Sequence, residues 1–480
     1  MASPRKRPNH GGWRLTYTAH EPGQEMLREA LCTVGNGYFA TRGAFEGTRQ
    51  TRYSYPGTYF AGVYNKLPSK VHGRTIYNDD FVNCPNWLLL ELRVGNGPYR
   101  SLLGQKLVSY RQTLNMREAV LERRMTVQDR RGRVTRIVSR RVASMADQHA
   151  AGLQVNLQPV NYSGRISIRS SLDGTVTNNG VARYRNLSKK HLAPVSQGED
   201  NGAILLTVET NQSHVEIAMG ARTTVCRAGK KLKPARRVRT SPGFVSEEFT
   251  LDASRGKTYT IEKMVCLFTS SDEHSASPAD SARAKVHHLP TFAALCRPHA
   301  AEWQKLWDLC DIRIAGDPFA QKVVRLHIYH LLTVGTKHNT HVDAGIPARG
   351  LHGEAYRGHI FWDDLFILPF YIARLPEVAR AALLYRYRRL DAARNHARDN
   401  GFAGAMYPWQ TSRDGREETQ VIHYNPVSGK WDPDLSSRQR HVSIAIFYTI
   451  WAYCDNTSDT TFLFRYGAEM MLEIARFWSS

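Results

Sequence analysis

The stretch Leu351-His-Gly-Glu-Ala-Tyr-Arg-Gly-His-Ile-Phe-Trp-Asp-Asp-Leu-Phe-Ile-Leu-Pro-Phe370 sets charged and aromatic residues directly against the apolar run of a helix. Arg357, His359, Trp362 and Asp363 fall within seven residues. An indole ring packs on the C–H face of a pyranose, while a carboxylate and a guanidinium take up its hydroxyls. A buried aromatic beside a local ion pair fits the same pattern, so the neighbouring loops matter. Upstream lies Gly345-Ile-Pro-Ala-Arg-Gly-Leu351, and downstream Ala405-Met-Tyr-Pro-Trp-Gln410 is followed by Asp414-Gly-Arg-Glu-Glu-Thr-Gln420. These are polar-aromatic loops between helical segments, the expected form of a helical scaffold with one shared site on its rim. The ligand expected of such a site is polyhydroxylated.

Working outward, residues 12–270 read as short strands. Val134–Val142, Gly164–Ser170, Gly202–Glu209, His214–Met219 and Tyr259–Phe268 alternate in period two or carry β-branched runs. Asn178-Asn-Gly180 and Ser241-Pro-Gly243 punctuate them, as a β-sandwich requires. Val34-Gly-Asn-Gly-Tyr-Phe-Ala-Thr-Arg-Gly43 lacks the Lys-Ser/Thr ending of a phosphate loop and predicts a tight turn between strands. The polar stretch Thr269–Pro278 marks a boundary, and helical pieces follow to about Leu309, with breaks predicted near Pro290 and Pro298. Trp303 and Trp307 lie four apart on one face of the last piece. Helices are then predicted over 317–335, 362–374, 376–399, 439–454 and 459–478, with one long irregular loop region. Pro376 and Asp459 stand at helix starts and Gly401 at a helix end. Strands followed by helices, without alternation, mean separate domains.

At 480 residues the chain is long enough for two or three domains. No apolar run reaches a membrane span, and Met1–His10 has no apolar stretch like that of a secretory signal. The seven cysteines have no metal spacing and fit free thiols in a reducing cytoplasm. His327, His330 and His441 are read as ordinary core or loop histidines, so no metal is expected. The excess of 65 basic over 43 acidic residues, +22, is spread along the chain, apart from Arg123-Arg124, Arg130-Arg-Gly-Arg133 and Arg140-Arg141. It reads as a solvated basic surface rather than a specific nucleic-acid interface.

Several stretches, in order, resemble glycoside hydrolase family 65, whose inverting phosphorylases and hydrolases act on α-linked disaccharides such as trehalose, maltose and kojibiose. They are Val34–Gly43, Val82-Asn-Cys-Pro-Asn-Trp-Leu88, Pro347–Asp363, Gly404–Gln410, Asp414–Thr419, His441-Val442 and Tyr466–Trp478. The resemblance implies a multidomain β + α fold: an N-terminal β-super-sandwich (1–270), a helical linker (271–315) and an (α/α)6 barrel beginning at 316. By similarity, Trp362 and Asp363 hold the nonreducing glucosyl unit, Arg357 and His359 shape that subsite, and Trp409 and Glu417 line the acceptor side. No cofactor is implied, and inorganic phosphate is the co-substrate of a phosphorylase.

The family's general acid is a Glu in a Gly-Pro-Asp-Glu-Tyr motif that follows the Ala-Arg-Phe-Trp helix. This sequence ends at Ser480, after Ala475-Arg-Phe-Trp478, and Trp431-Asp-Pro-Asp-Leu435 lacks the Glu. No catalytic residue is therefore assigned, the barrel is expected to be incomplete, and residues 1–480 are expected to be inactive alone. Uncovered apolar faces are expected to seek a homodimer partner or a missing C-terminal half. The alternative reading is a noncatalytic carbohydrate-binding remnant.

Overall fold

The structure is a computed structural model that describes residues 12–71, 73–101, 106–184, 186–272 and 277–480. The basic start Met1–His10 and residues 273–276 of the polar boundary lie outside the described residues.

The N-terminal part is mostly β. The larger sheet runs in the order Arg14–Tyr17, Lys106–Asn115, Val120–Gln128, Val134–Ala143, Ala150–Pro159, Tyr259–Thr269, Glu216–Arg227, Ala203–Thr210, Leu192–Asp200. A smaller sheet orders Arg236–Ser241, Phe244–Ala253, Gly164–Asp173 and Leu90–Val94. Every pairing in both is antiparallel. Alternation buries one face of several strands, and Ile166, Ile168 and Val245 of the smaller sheet share one core with Leu206, Val208 and Ile261 of the larger. The Pro242–Gly243 turn joins the first two strands of the smaller sheet, as its residues predict. Val34-Gly35 and Phe39–Thr41 pair around Gly37, whose φ of +91° suits glycine. Two of the clustered arginines, Arg123 and Arg141, do not face solvent. Both are fully buried and bracket Glu46 at 2.8 Å.

Two helices, Pro278–His288 and Phe292–Cys310, cover the outer face of the larger sheet through Ala282, Val286, Phe292 and Leu295. The expected break at Pro298 does not occur, and the second helix runs straight through it. The buried anchors on both sides of the proline, Leu295, His299, Trp303 and Trp307, hold the helix against the β domain. Trp303 stacks on Tyr329 at 5.2 Å, and the Trp307 indole donates to the Met116 carbonyl at 3.0 Å.

The helical part comprises Pro318–Leu332, Asp364–Arg374, Pro376–Tyr387, Leu390–Asp399, His441–Thr457 and Ala468–Ser479. The helix predicted over 376–399 is two helices. The first ends where Arg388 and Arg389 both turn to Asp343, at 3.0 and 2.9 Å, a long-range pull with no local breaker. Asp459 caps the C-terminal helical run through the Phe462 N–H, and a π-turn at Leu463–Gly467 interrupts it. The long loop after Gly401 contains a hairpin, Ile422–Asn425 with Lys430–Pro433, that the sequence did not announce. Trp431 sits in it against Tyr424. No helix among the described residues is long and apolar enough to cross a membrane. All seven cysteines are free.

Candidate functional site

Three loops that are separate in sequence meet through main-chain hydrogen bonds. Ile360 and Thr411 exchange N–H···O bonds of 2.8 and 3.1 Å, and the Ala348 N–H reaches the His359 carbonyl at 3.1 Å. This fixes Trp362 and Trp409 with ring centroids 6.3 Å apart and planes at 27°. His441, at the start of its helix, packs edge-on against both rings, at 5.0 and 5.1 Å. The rings border a cavity of about 380 Å³ with Arg349, Tyr356, Phe361 and Asp363.

Asp363 and Asp364 are adjacent yet differ in role. Asp364 turns inward onto Arg386 at 2.7 Å, and the same guanidinium donates to the Phe361 carbonyl at 2.8 Å. Asp363 stands at the mouth of the helix, half-buried, and lines the cavity. Burial raises its carboxyl above the usual range, opposed by a backbone N–H and by the Arg349 guanidinium.

The remaining sequence candidates sit behind or beside this cavity. His359 is fully buried, with Nε2 2.6 Å from the Asp79 carbonyl and Nδ1 3.0 Å from the Gln410 amide oxygen. Burial lowers its imidazole below the ordinary range, opposed by the hydrogen bonds to Gln410 and the Asp79 carbonyl. Glu417 fastens the Trp409 loop, accepting from the main-chain N–H groups of Trp409 (2.7 Å), Gln410 (3.2 Å) and Thr419 (3.0 Å). Arg357 pairs with Asp80 of the β-domain hairpin Tyr64–Phe81 and stacks over Tyr184 at 4.3 Å. It lines a second cavity of about 170 Å³ with Tyr184, Tyr356, Gln410, His423 and Asp434. Its Nη2 is buried with no hydrogen-bond partner among the described residues.

Tyr356, Phe361 and Trp409 border both cavities, so one wall separates two compartments. The wall rests on a strained turn. Tyr356, Arg357 and Gly358 all have positive φ, at 54°, 56° and 65°. A Cβ at Gly358 would lie 2.5 Å from the Phe81 Cβ, so glycine is obligatory there. Non-glycine residues held in this region cost about 1–3 kcal/mol each and cluster at ligand sites.

The sequence reading named Trp362, Asp363, Trp409, Arg357, His359 and Glu417 but did not nominate Arg349, Tyr356, Phe361 or His441. Arg349 and His441 stand inside quoted motifs and were within reach. Tyr184 comes from the β domain, and no local signal connects it to the helical loops. Among the described residues no cluster of His, Cys, Asp or Glu has the makings of a metal site.

Residues 15–306 match the N-terminal domain of glycosyl hydrolase family 65, and residues 325–480 match its central catalytic domain. The chain belongs to this family. It is 43% identical over 466 residues to an uncharacterised glycosyl hydrolase of Mycobacterium tuberculosis, covering 97% of this chain and 35% of that protein. It is 34% identical over 482 residues to the kojibiose phosphorylase of Thermoanaerobacter brockii, covering 98% and 60%. It is 32% identical over 471 residues to the trehalose 6-phosphate phosphorylase of Lactococcus lactis, covering 97% and 59%. A solved structure from the human microbiome, provisionally assigned as a kojibiose phosphorylase, superposes with a TM-score of 0.84 at 23% identity, covering 98% of this chain and 59% of that one. The chain thus spans about 60% of the length of these phosphorylases. The mostly-β N-terminal domain followed by a helical catalytic domain is the fold they share.

Proposed function

We propose that residues 1–480 form the donor-sugar-binding part of a family 65 glycoside phosphorylase or hydrolase acting on α-linked glucose disaccharides. The observation that carries this reading is the Trp362–Trp409 pair bordering, with Asp363, a cavity of about 380 Å³, a size suited to a sugar. An indole face packs the C–H surface of the glucosyl ring, and Asp363 and Arg349 take its hydroxyls. The second compartment, with Arg357, Gln410 and His423 on its lining, suits the acceptor sugar.

The chemistry is displacement at the anomeric carbon with inversion. One carboxylic acid protonates the leaving oxygen, while phosphate or an activated water attacks from the opposite face. Among the described residues Asp363 is the single carboxyl lining the donor cavity, and Asp434 is the one lining the other. Asp363, beside the indole, is placed to hold hydroxyls. No other carboxyl of the described residues lines either cavity, and we take residues 1–480 to bind sugar without cleaving it. Inorganic phosphate is the nucleophile if the reaction is phosphorolysis, as the names of several relatives favour. The same missing carboxyl is what favours the second reading, a noncatalytic carbohydrate-binding protein.

Phe366, Ile444, Tyr448 and Trp451 of the helical domain are exposed. We take these faces to be where further helices of an (α/α)6 barrel pack, or failing those a second copy of the chain. The seven free thiols fit a cytoplasmic setting.

Calorimetry with glucose and kojibiose tests the binding. Millimolar affinity is expected, weakened at least tenfold, about 1.4 kcal/mol, by Trp362→Ala or Asp363→Ala. Asp363 makes no capping hydrogen bond, so its loss leaves the helix intact. Absence of heat at millimolar sugar removes the proposal. Sugar release from kojibiose that Asp363→Ala abolishes removes its noncatalytic part.

A further inference from the structure

His359 joins the β domain to the Trp409 loop. Its ring is fully buried, with Nε2 2.6 Å from the main-chain carbonyl of Asp79 and Nδ1 3.0 Å from the side-chain amide of Gln410. Asp79 lies in the strand Arg74–Phe81, opposite Lys66 of the hairpin, and its carboxylate takes the Ser412 hydroxyl at 2.5 Å. The Asp79 carbonyl is therefore held in place, and a carbonyl only accepts. Nε2 must carry a hydrogen.

The hydrogen at Nδ1 depends on the charge of the ring. Both nitrogens meet uncharged groups, and among the described residues no carboxylate pairs with either. The charges that act on the ring, Arg357 and Asp80, are themselves an ion pair. An ordinary imidazole titrates at about 6.5, and burial lowers this one further. At pH 8 the ring is neutral, with its hydrogen on Nε2 and a lone pair on Nδ1.

An amide oxygen beside that lone pair sets acceptor against acceptor at 3.0 Å. The two ends of an amide are alike in shape, so hydrogen bonding decides which of them faces the ring. Half a turn of the Gln410 amide brings its NH2 to Nδ1 and sends its oxygen the other way. Gln410 lines the second compartment. Its main chain is already spent, the N–H on Glu417 at 3.2 Å and the carbonyl on the Glu418 N–H at 2.9 Å. The far end of its amide has no hydrogen-bond partner among the described residues.

We propose that His359 is a positioning residue that holds the Gln410 amide with its oxygen toward the second compartment, so that Gln410 reads an acceptor-sugar hydroxyl by accepting its hydrogen. The inference rests on the reading of that compartment as the acceptor site. The chain then runs one way: the sugar hydroxyl donates to Gln410, the Gln410 NH2 to Nδ1, and Nε2 to the Asp79 carbonyl. Every donor in it meets an acceptor, and the direction is set at the β-domain end, where the carbonyl cannot be reversed.

The test has two arms. In the first, isotope-labelled histidine ring nitrogens are followed by NMR at pH 8 in the wild type and in Gln410→Glu, whose carboxylate can only accept. The ring signal that this substitution moves is that of His359. A hydrogen on Nε2 alone is expected in the wild type, and hydrogens on both nitrogens in the variant. A wild-type ring with a hydrogen on Nδ1, or ring signals that Gln410→Glu leaves in place, overturns the proposal. In the second arm calorimetry compares kojibiose, which spans both compartments, with glucose. His359→Leu should weaken kojibiose about fivefold, the worth of one hydrogen bond, and glucose less than twofold. His359→Gln, which can donate to Asp79 and accept from Gln410, should bring kojibiose back to within twofold of the wild type. Equal weakening by both substitutions, or of both sugars, overturns the positioning role. If His359→Leu fails to fold, Gln410→Met takes its place with the same expectation for the two sugars, since it offers no oxygen. No sugar binding, with the ring hydrogens as expected, overturns the acceptor-site reading and leaves the orientation of the amide standing.

Discussion

Replacing Arg357 with alanine strands Asp80. That carboxylate is 7% exposed, and among the described residues the arginine is its one close ion-pair partner, since His191 lies at 3.8 Å and burial lowers the imidazole below its ordinary range. Removing one member of a buried pair costs about 3–5 kcal/mol, because the surviving charge loses its compensation. Arg357→Gly loses the same guanidinium, and at an ordinary helical or extended position glycine would cost roughly a further 0.5–1 kcal/mol. Here φ is +56°, where a Cβ is penalised by roughly 1–2 kcal/mol. The order should therefore invert, with Arg357→Gly more stable than Arg357→Ala by about 1 kcal/mol. Adding Asp80→Asn to Arg357→Ala removes the stranded charge and should recover about 2 kcal/mol of the loss. Urea unfolding of the four proteins, compared at unchanged slope, checks this. A loss below about 1 kcal/mol for Arg357→Ala, or a glycine variant weaker than the alanine one, would refute the reasoning.

Two further outcomes follow from the same structure. Lys263 is fully buried and donates across the sheets to the carbonyls of Ser171 (2.6 Å) and Leu89 (3.2 Å). Burial, opposed by Glu247, pushes its amine from 10.5 down to about 7, equivalent to about 5 kcal/mol. The unfolded amine holds its proton longer, so the cost is full below about 7 and stability rises with pH from there to 10.5. Lys263→Met should lack that rise, and equal pH slopes in denaturation experiments on the two proteins would count against it. Glu417→Ala should weaken glucose binding about fivefold while shifting the melting temperature by only about 2 °C, because its carboxylate holds Trp409, Gln410 and Thr419 in place rather than a core element. Unchanged affinity by calorimetry would separate Glu417 from the site.

What the sequence determined by itself is local. Alternation placed five of the strands between Val134 and Thr269 but missed Ala150–Pro159, Leu192–Asp200, Arg236–Ser241 and Phe244–Ala253, and caps and prolines placed the helix starts at Pro376 and Asp459. The polar-aromatic loops marked Trp362, Asp363 and Trp409, which do share one cavity. These signals are properties of neighbouring residues, so a linear reading can find them.

The tertiary structure decided the partners. Arg357 and His359 lie beside Trp362 in sequence, yet one turns to Asp80 and Tyr184 and the other to Asp79 and Gln410. The split at Arg388 and the unbroken helix at Pro298 likewise answer to Asp343 and to the β-domain core rather than to local propensity. A buried charge takes the compensating group that the fold brings within reach, and a helix keeps or loses a turn according to what packs on it. Neither choice is written in the residues next door, because burial and distance exist only once the chain has closed on itself.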